Sequence, residues 1–147
     1  ASPPSQLLLA TILQDWGTDG FEAWLLHINE NYRAKRNNLM EALDISMPQN
    51  LIKYTRPEAG IVIWFELKSE AWPKQKDNWF EYLEDLILEK TKDKGISLGK
   101  GHWFMVDPTT ELSAWRVAYS FLTLDEMKSA IDIFAEVVKN THKEFYP

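Results

Sequence analysis

The sequence contains no cysteine, which excludes disulfide frameworks, thiolate metal sites and thiol nucleophiles together. It has no apolar run of the length a bilayer crossing needs. Its opening residues, Ala1-Ser2-Pro3-Pro4, lack the basic segment and apolar stretch of a secretory signal, so a cytoplasmic setting is expected. Basic residues are outnumbered, 16 Lys+Arg against 22 Asp+Glu, for a net charge of −6. That balance argues against nucleic acid or an anionic membrane as the main partner, because phosphate binding needs a basic field. Internal repeats and low-complexity tracts are absent too.

What remains is ample for one ordinary domain. Over 147 residues the chain is 45% hydrophobic and 26% charged, with seven tryptophans, a composition suited to a packed core. Trp16, Trp24, Trp72, Trp79 and Trp103 are spread over several segments. Some suit the core, and others suit surfaces that pack on another domain or subunit.

Residues 5 to 16 read as a short helix led in by two prolines and stopped by Gly17. It is apolar nearly all round and needs cover on more than one side. Asp19 with Glu22 can cap a second helix to about Leu43, with Phe21, Leu25, Ile28, Tyr32, Leu39 and Leu43 at helical spacing. At 1.5 Å per residue it would run about 35 Å, enough to bridge two domains. Asp44 to Arg56 reads as loop, and Gly60 to Leu67 as a central strand. Lys68 to Asp77 is loop, Asn78 to Lys94 a third helix, and Ile96-Ser97-Leu98 a short strand before the turn Gly99-Lys100-Gly101. After a loop from Asp107 to Leu112 comes a strand over 113–121. Thr123-Leu124-Asp125-Glu126 is a capping box opening a fourth helix. The fold class is therefore α+β, a short, mainly antiparallel sheet packed with helices.

In Ser113-Ala114-Trp115-Arg116-Val117-Ala118-Tyr119-Ser120-Phe121, alternation puts Trp115, Val117, Tyr119 and Phe121 on one face and Arg116, Ala118 and Ser120 on the other. The pattern alone allows two readings. Arg116 is either a solvated residue of an antiparallel sheet or a planar fork of donors with room for a carboxylate.

Other chemistry is thin. Ser97-x-x-Lys100 has the Ser-x-x-Lys spacing of serine acyl-enzymes, but on a strand and turn where that chemistry uses a helix start. His27, His102 and His142 are too scattered for a zinc site, and His27 reads as a packing residue. Glu81, Glu84 and Asp85 read as a solvated helix face. No metal site and no complete catalytic set is expected.

The order of blocks resembles the C-terminal part of class I/II pyridoxal-phosphate (PLP) aminotransferases of fold type I. The likeness is greatest to the fungal aromatic-amino-acid and kynurenine/α-aminoadipate branch. Ser2-Pro3-Pro4-Ser5-Gln6 and its helix resemble the segment after the cofactor lysine. Phe21 to Leu43, with Tyr32-Arg33-Ala34-Lys35-Arg36, resembles the long helix joining the large and small domains. Pro57-Glu58-Ala59-Gly60-Ile61-Val62-Ile63-Trp64 and the stretch from Gly95 to Phe104 resemble the next two blocks. Trp115-Arg116-Val117-Ala118-Tyr119-Ser120 resembles the strand whose arginine clamps the substrate α-carboxylate.

The resemblance implies that residues 1–35 are the tail of a large domain and the start of the interdomain helix, and 36–147 a small C-terminal domain. It implies a homodimeric enzyme that moves an amino group between an aromatic amino acid and a 2-oxo acid. The substrate-binding residues it implies are Arg116, for the α-carboxylate, and Val62, where relatives place a phenylalanine. The cofactor lysine, the aspartate that pairs the pyridine nitrogen and most phosphate ligands would lie upstream. Lys100 stands where relatives often have proline, so this chain alone is expected to hold no PLP and to be inactive. Two alternatives share the likeness: a ligand-sensing domain of a regulator without catalysis, and an independent α+β binding domain.

Overall fold

The computed structural model describes residues 2–75, 77–107 and 111–146, and the chain divides into two compact units, 1–34 and 35–147. Helical backbone (α1) runs over Pro3–Ser46, with one non-helical residue, Gly17, at φ 61° and ψ −171°. That combination is open only to glycine without strain. The expected break therefore falls at Gly17, but helix resumes at once, and Asp19 lies inside it rather than capping it.

In the first unit no described residue is buried. Leu7, Leu8, Leu9, Trp16, Trp24 and Leu26 are all exposed, as a helix apolar all round requires when its own unit is a single helical run. Trp24 meets Trp16 and Phe21, with ring centroids 5.8 and 6.0 Å away. His27 is exposed, which corrects its reading as a packing residue.

The second unit is built on a four-stranded antiparallel sheet in the order β1-β2-β4-β3. Its strands are β1 (Ile52–Tyr54), β2 (Val62–Leu67), β3 (Gly99–Lys100) and β4 (Ala114–Ala118). Two helices follow the sequence pattern closely: α2 (Trp79–Asp93) and α3 (Leu124–Phe145). At α3 the Thr123 hydroxyl accepts from the Glu126 amide, and the Glu126 carboxylate accepts in return from the Thr123 amide at 2.8 Å. This is the expected capping box.

Ile63, Phe65 and Leu67 of β2 and Trp115 of β4 are buried on one face of the sheet. Phe134 of α3 stacks on Phe65 at 5.3 Å and meets Trp115 edge-on at 5.5 Å. The Trp115 indole N–H donates to the Glu84 carbonyl of α2 at 3.3 Å, so both helices cover this face. Leu39, Met40 and Leu43, near the end of α1, join the core.

The sequence reading needs four corrections here. Ile52-Lys53-Tyr54, read as loop, is edge strand β1, paired with β2 from Ile52↔Leu67 to Tyr54↔Phe65. The short strand lies at Gly99–Lys100, not Ile96–Leu98, and a 3-10 turn, Gly101–Phe104, follows it. Ser69–Ala71 forms another such turn inside the expected 68–77 loop. The alternation of β4 ends at Ala118, so Tyr119 is buried but Phe121 is 91% exposed. The expected 107–112 loop lies outside the described residues at 108–110.

Candidate anion site on the open face of the sheet

The register fixes what stands beside Arg116. Residues directly opposite in an antiparallel pair project to the same face. Trp64 is opposite Arg116 and Val62 opposite Ala118, so Val62, Trp64, Arg116 and Ala118 share the face that α2 and α3 leave open. Gly99 is opposite Arg116 on the other side. The alternation expected of Arg116 and Ala118 is thus present, and the structure brings Val62 and Arg116 together on one face.

An aromatic pair surrounds the guanidinium. The Arg116 Cζ lies 5.2 Å from the centre of the Phe104 ring, within the range of a cation–π contact. Phe104 in turn meets Trp64 edge-on at 5.7 Å. Gly99 leaves room for this packing, since a Cβ there would lie 3.3 Å from Phe104. Arg116 is half-buried, and its side chain makes no hydrogen bond or ion pair among the described residues. A cleft of about 1020 Å³ opens alongside, lined by Leu98, Phe104, Arg116, Val117, Phe65 and Phe134 among others. It exists because β3 pairs only Arg116 and Trp115, so the chain before Gly99 is not zipped onto β4.

One residue on, the other cation of this hairpin is fully engaged. Lys100 Nζ lies 2.7 Å from Asp85, 3.2 Å from Glu81 and 4.0 Å from Glu84. Burial alone would lower its pKa, but the hydrogen bonds it donates to Asp85 and Glu81 outweigh it, and the pKa is raised. An ammonium held protonated by carboxylates is a poor nucleophile and a poor imine-former. Lys100 therefore fits neither the Ser-x-x-Lys chemistry nor the lysine that PLP requires.

Glu84 corrects the sequence reading most sharply. Read as solvated, it is fully buried. Its Oε1 accepts from the amides of Gly101 (2.7 Å), His102 (3.3 Å) and Ala114 (3.3 Å), and its Oε2 lies 2.5 Å from His102 Nδ1. A carboxylate only accepts, so the ring proton sits on Nδ1. Gly101 has to be glycine because an added Cβ would lie 2.7 Å from the Ala114 carbonyl and 2.9 Å from Glu84 Oε1. Three scattered sequence signals, an acidic residue, a glycine and a histidine, converge here only through the fold.

His142 lies elsewhere, Nε2 3.0 Å from the Ala71 carbonyl. Among the described residues no group of three acidic or histidine side chains could hold a metal ion, and no helix is long and apolar enough to cross a membrane. At the far end of β4, Tyr119 donates its hydroxyl to the Gly60 carbonyl at 2.6 Å, tying the strand to the turn before β2. Burial raises its pKa and Arg36 opposes the shift.

No family model matches the sequence. It is 37% identical over 145 residues, 97% of this chain, to an aromatic amino acid aminotransferase of Schizosaccharomyces pombe. It is 27% identical over 137 residues to a mitochondrial kynurenine/alpha-aminoadipate aminotransferase of Mus musculus. The chain spans 31% and 30% of the length of these relatives. In fold it is similar to an aromatic aminotransferase of Candida albicans, with a TM-score of 0.81 at 20% identity over 95% of this chain and 30% of that one. Sequence and fold together match this chain to the C-terminal part of the fold type I, PLP-dependent aminotransferases.

Proposed function

We propose that this chain supplies the substrate-carboxylate site of an aminotransferase, the whole protein moving an amino group between an aromatic amino acid and a 2-oxo acid. The observation that supports it most is Arg116 itself. Lys100, on the neighbouring strand, has carboxylate partners, whereas the half-buried Arg116 has an aromatic platform and none among the described residues. A guanidinium so placed offers two parallel N–H donors to an incoming carboxylate. Val62, two residues from Trp64 on the same face, forms an adjoining wall that contacts the substrate.

PLP supplies the electron sink for such chemistry, and in this reading its lysine and other ligands belong to residues outside this chain. Residues 1–35 then form the tail of the large domain and 36–147 the small domain. The exposed apolar residues of the first helix pack on the large domain and on a second copy in a homodimer. In this reading the whole protein works in the cytoplasm. The 147-residue chain alone neither holds PLP nor transaminates.

Arg116→Gln in the whole protein tests the assignment. Loss of a charge-assisted bidentate contact should raise the KM for the amino acid by about 10- to 150-fold. An unchanged KM would remove Arg116 from the site. A regulator that senses the same ligand would show the same loss in binding with no turnover to lose.

A further inference from the structure

We propose that Glu84, a residue of the opposite face, is a positioning residue for the Arg116 guanidinium. The inference rests on the carboxylate reading of Arg116 given above.

Two segments of the chain, the 3-10 turn and β4, start at the Glu84 carboxylate. Glu84 Oε1 accepts from Gly101 and His102, the first residues of the 3-10 turn, and from Ala114, the first residue of β4. Two residues past His102 is Phe104, and two past Ala114 is Arg116. Those two side chains then meet, guanidinium over ring, at 5.2 Å. One buried carboxylate therefore sets the origin of both segments that bring the pair together.

Nothing loose intervenes. Oε1 holds three N–H groups and Oε2 the His102 ring, so the carboxylate's acceptor sites are filled. The absent Cβ of Gly101 lets the turn approach β4 this closely. The Glu84 carbonyl also takes the Trp115 indole N–H, fixing the residue just before Arg116. A shift of the turn by more than about 1 Å would carry Phe104 beyond the reach of a cation–π contact and leave the fork free to rotate.

Positioning and charge make opposite demands on replacements for Glu84. Glu84→Gln keeps the reach of Oε1 to the three amides and loses the charge, its amide N–H donating to His102 Nδ1 once the ring takes the other tautomer. Glu84→Asp keeps the charge and withdraws it by one methylene. In the whole protein, positioning predicts that Glu84→Gln holds the amino acid KM within about threefold of the parent. It predicts that Glu84→Asp raises KM about 5- to 20-fold with kcat changed less than about threefold. Phe104→Ala, at an exposed ring, should raise KM similarly. Placed on Arg116→Gln, neither Glu84→Asp nor Phe104→Ala should add more than about twofold, because both act through the guanidinium.

A KM raised more by Glu84→Gln than by Glu84→Asp would overturn the inference. So would a full multiplicative effect on the Arg116→Gln background. If Arg116→Gln itself leaves KM unchanged, the carboxylate reading falls instead. The positioning claim is then judged by the Arg116 Nε–Hε resonance, which should shift in Glu84→Asp and not in Glu84→Gln; an unshifted resonance in Glu84→Asp overturns it.

Discussion

Two cations of one sheet, on opposite faces, are treated in opposite ways. Lys100 and Arg116 lie on adjacent strands, one register step apart. The helix-covered face surrounds its lysine with Asp85, Glu81 and Glu84. The open face leaves its arginine over an aromatic ring, without a carboxylate among the described residues. The covered face has resolved its electrostatics within the chain, and that is what a structural charge does. The open face pairs its other cation, Lys53, with Glu66, and only at Arg116 is there packing without a counter-ion, as a ligand site has before the ligand arrives.

If this contrast is right, substitutions should divide by face. Trp115→Ala, at a fully buried residue wedged against Phe134, should cost about 3–5 kcal/mol in urea unfolding. Trp64→Ala, across the same sheet, should cost about 1 kcal/mol or less, since its ring is 41% exposed. Comparable losses would mean that the open face is core after all.

Next come the cations. Lys100→Gln should cost about 1–2 kcal/mol by stripping charged hydrogen bonds from Asp85 and Glu81. Arg116→Gln should stay within about 0.5 kcal/mol, its loss appearing only in substrate affinity. Equal destabilisation by both would make Arg116 structural.

pH sharpens the same point. The folded pKa of Lys100 lies above its unfolded value, so its contribution is complete at pH below the unfolded lysine value and is lost as pH rises through the folded one. A stability profile of parent minus Lys100→Gln should be flat through neutrality and close only in strong alkali.

A control for the comparison lies outside both faces, at the α3 cap. Thr123→Ala should cost about 1 kcal/mol. The Glu126 pKa is lowered, first by the Thr123 amide and then by its hydroxyl. That part of the cap is therefore present above the unfolded glutamate value and lost as pH falls through the folded one. Thermal melts of Thr123→Ala and parent should converge in acid.

Periodicity reached the elements that are long enough to repeat. The apolar run of β2, the two-residue rhythm of β4, the 3.6-residue rhythms of α2 and α3, and the Thr123–Glu126 box were legible because local chemistry and tertiary burial agree there. β1 was not, since three residues, Ile52-Lys53-Tyr54, carry no period and become a strand only by pairing with β2. Arg116 stood out through its small neighbours and its place in the ordered blocks. Glu84 was hidden for a definite reason: in Glu81-Tyr82-Leu83-Glu84-Asp85 all three acids look equally solvated. What separates Glu84 from its neighbours is a set of amides 17 to 30 residues away, and no local pattern reports those.

The seven tryptophans divide by exposure into two optical populations. Trp72, Trp79 and Trp115 are buried, while Trp16, Trp24, Trp64 and Trp103 are exposed. An anionic quencher such as iodide should reach only the second group. Within it, Trp64 stands opposite the unpaired positive charge of Arg116 and should be quenched more by iodide than by a cationic quencher. A carboxylate that fills the Arg116 site would cancel that preference, so the chain carries its own fluorescent gauge of whether the site is charged or neutralised.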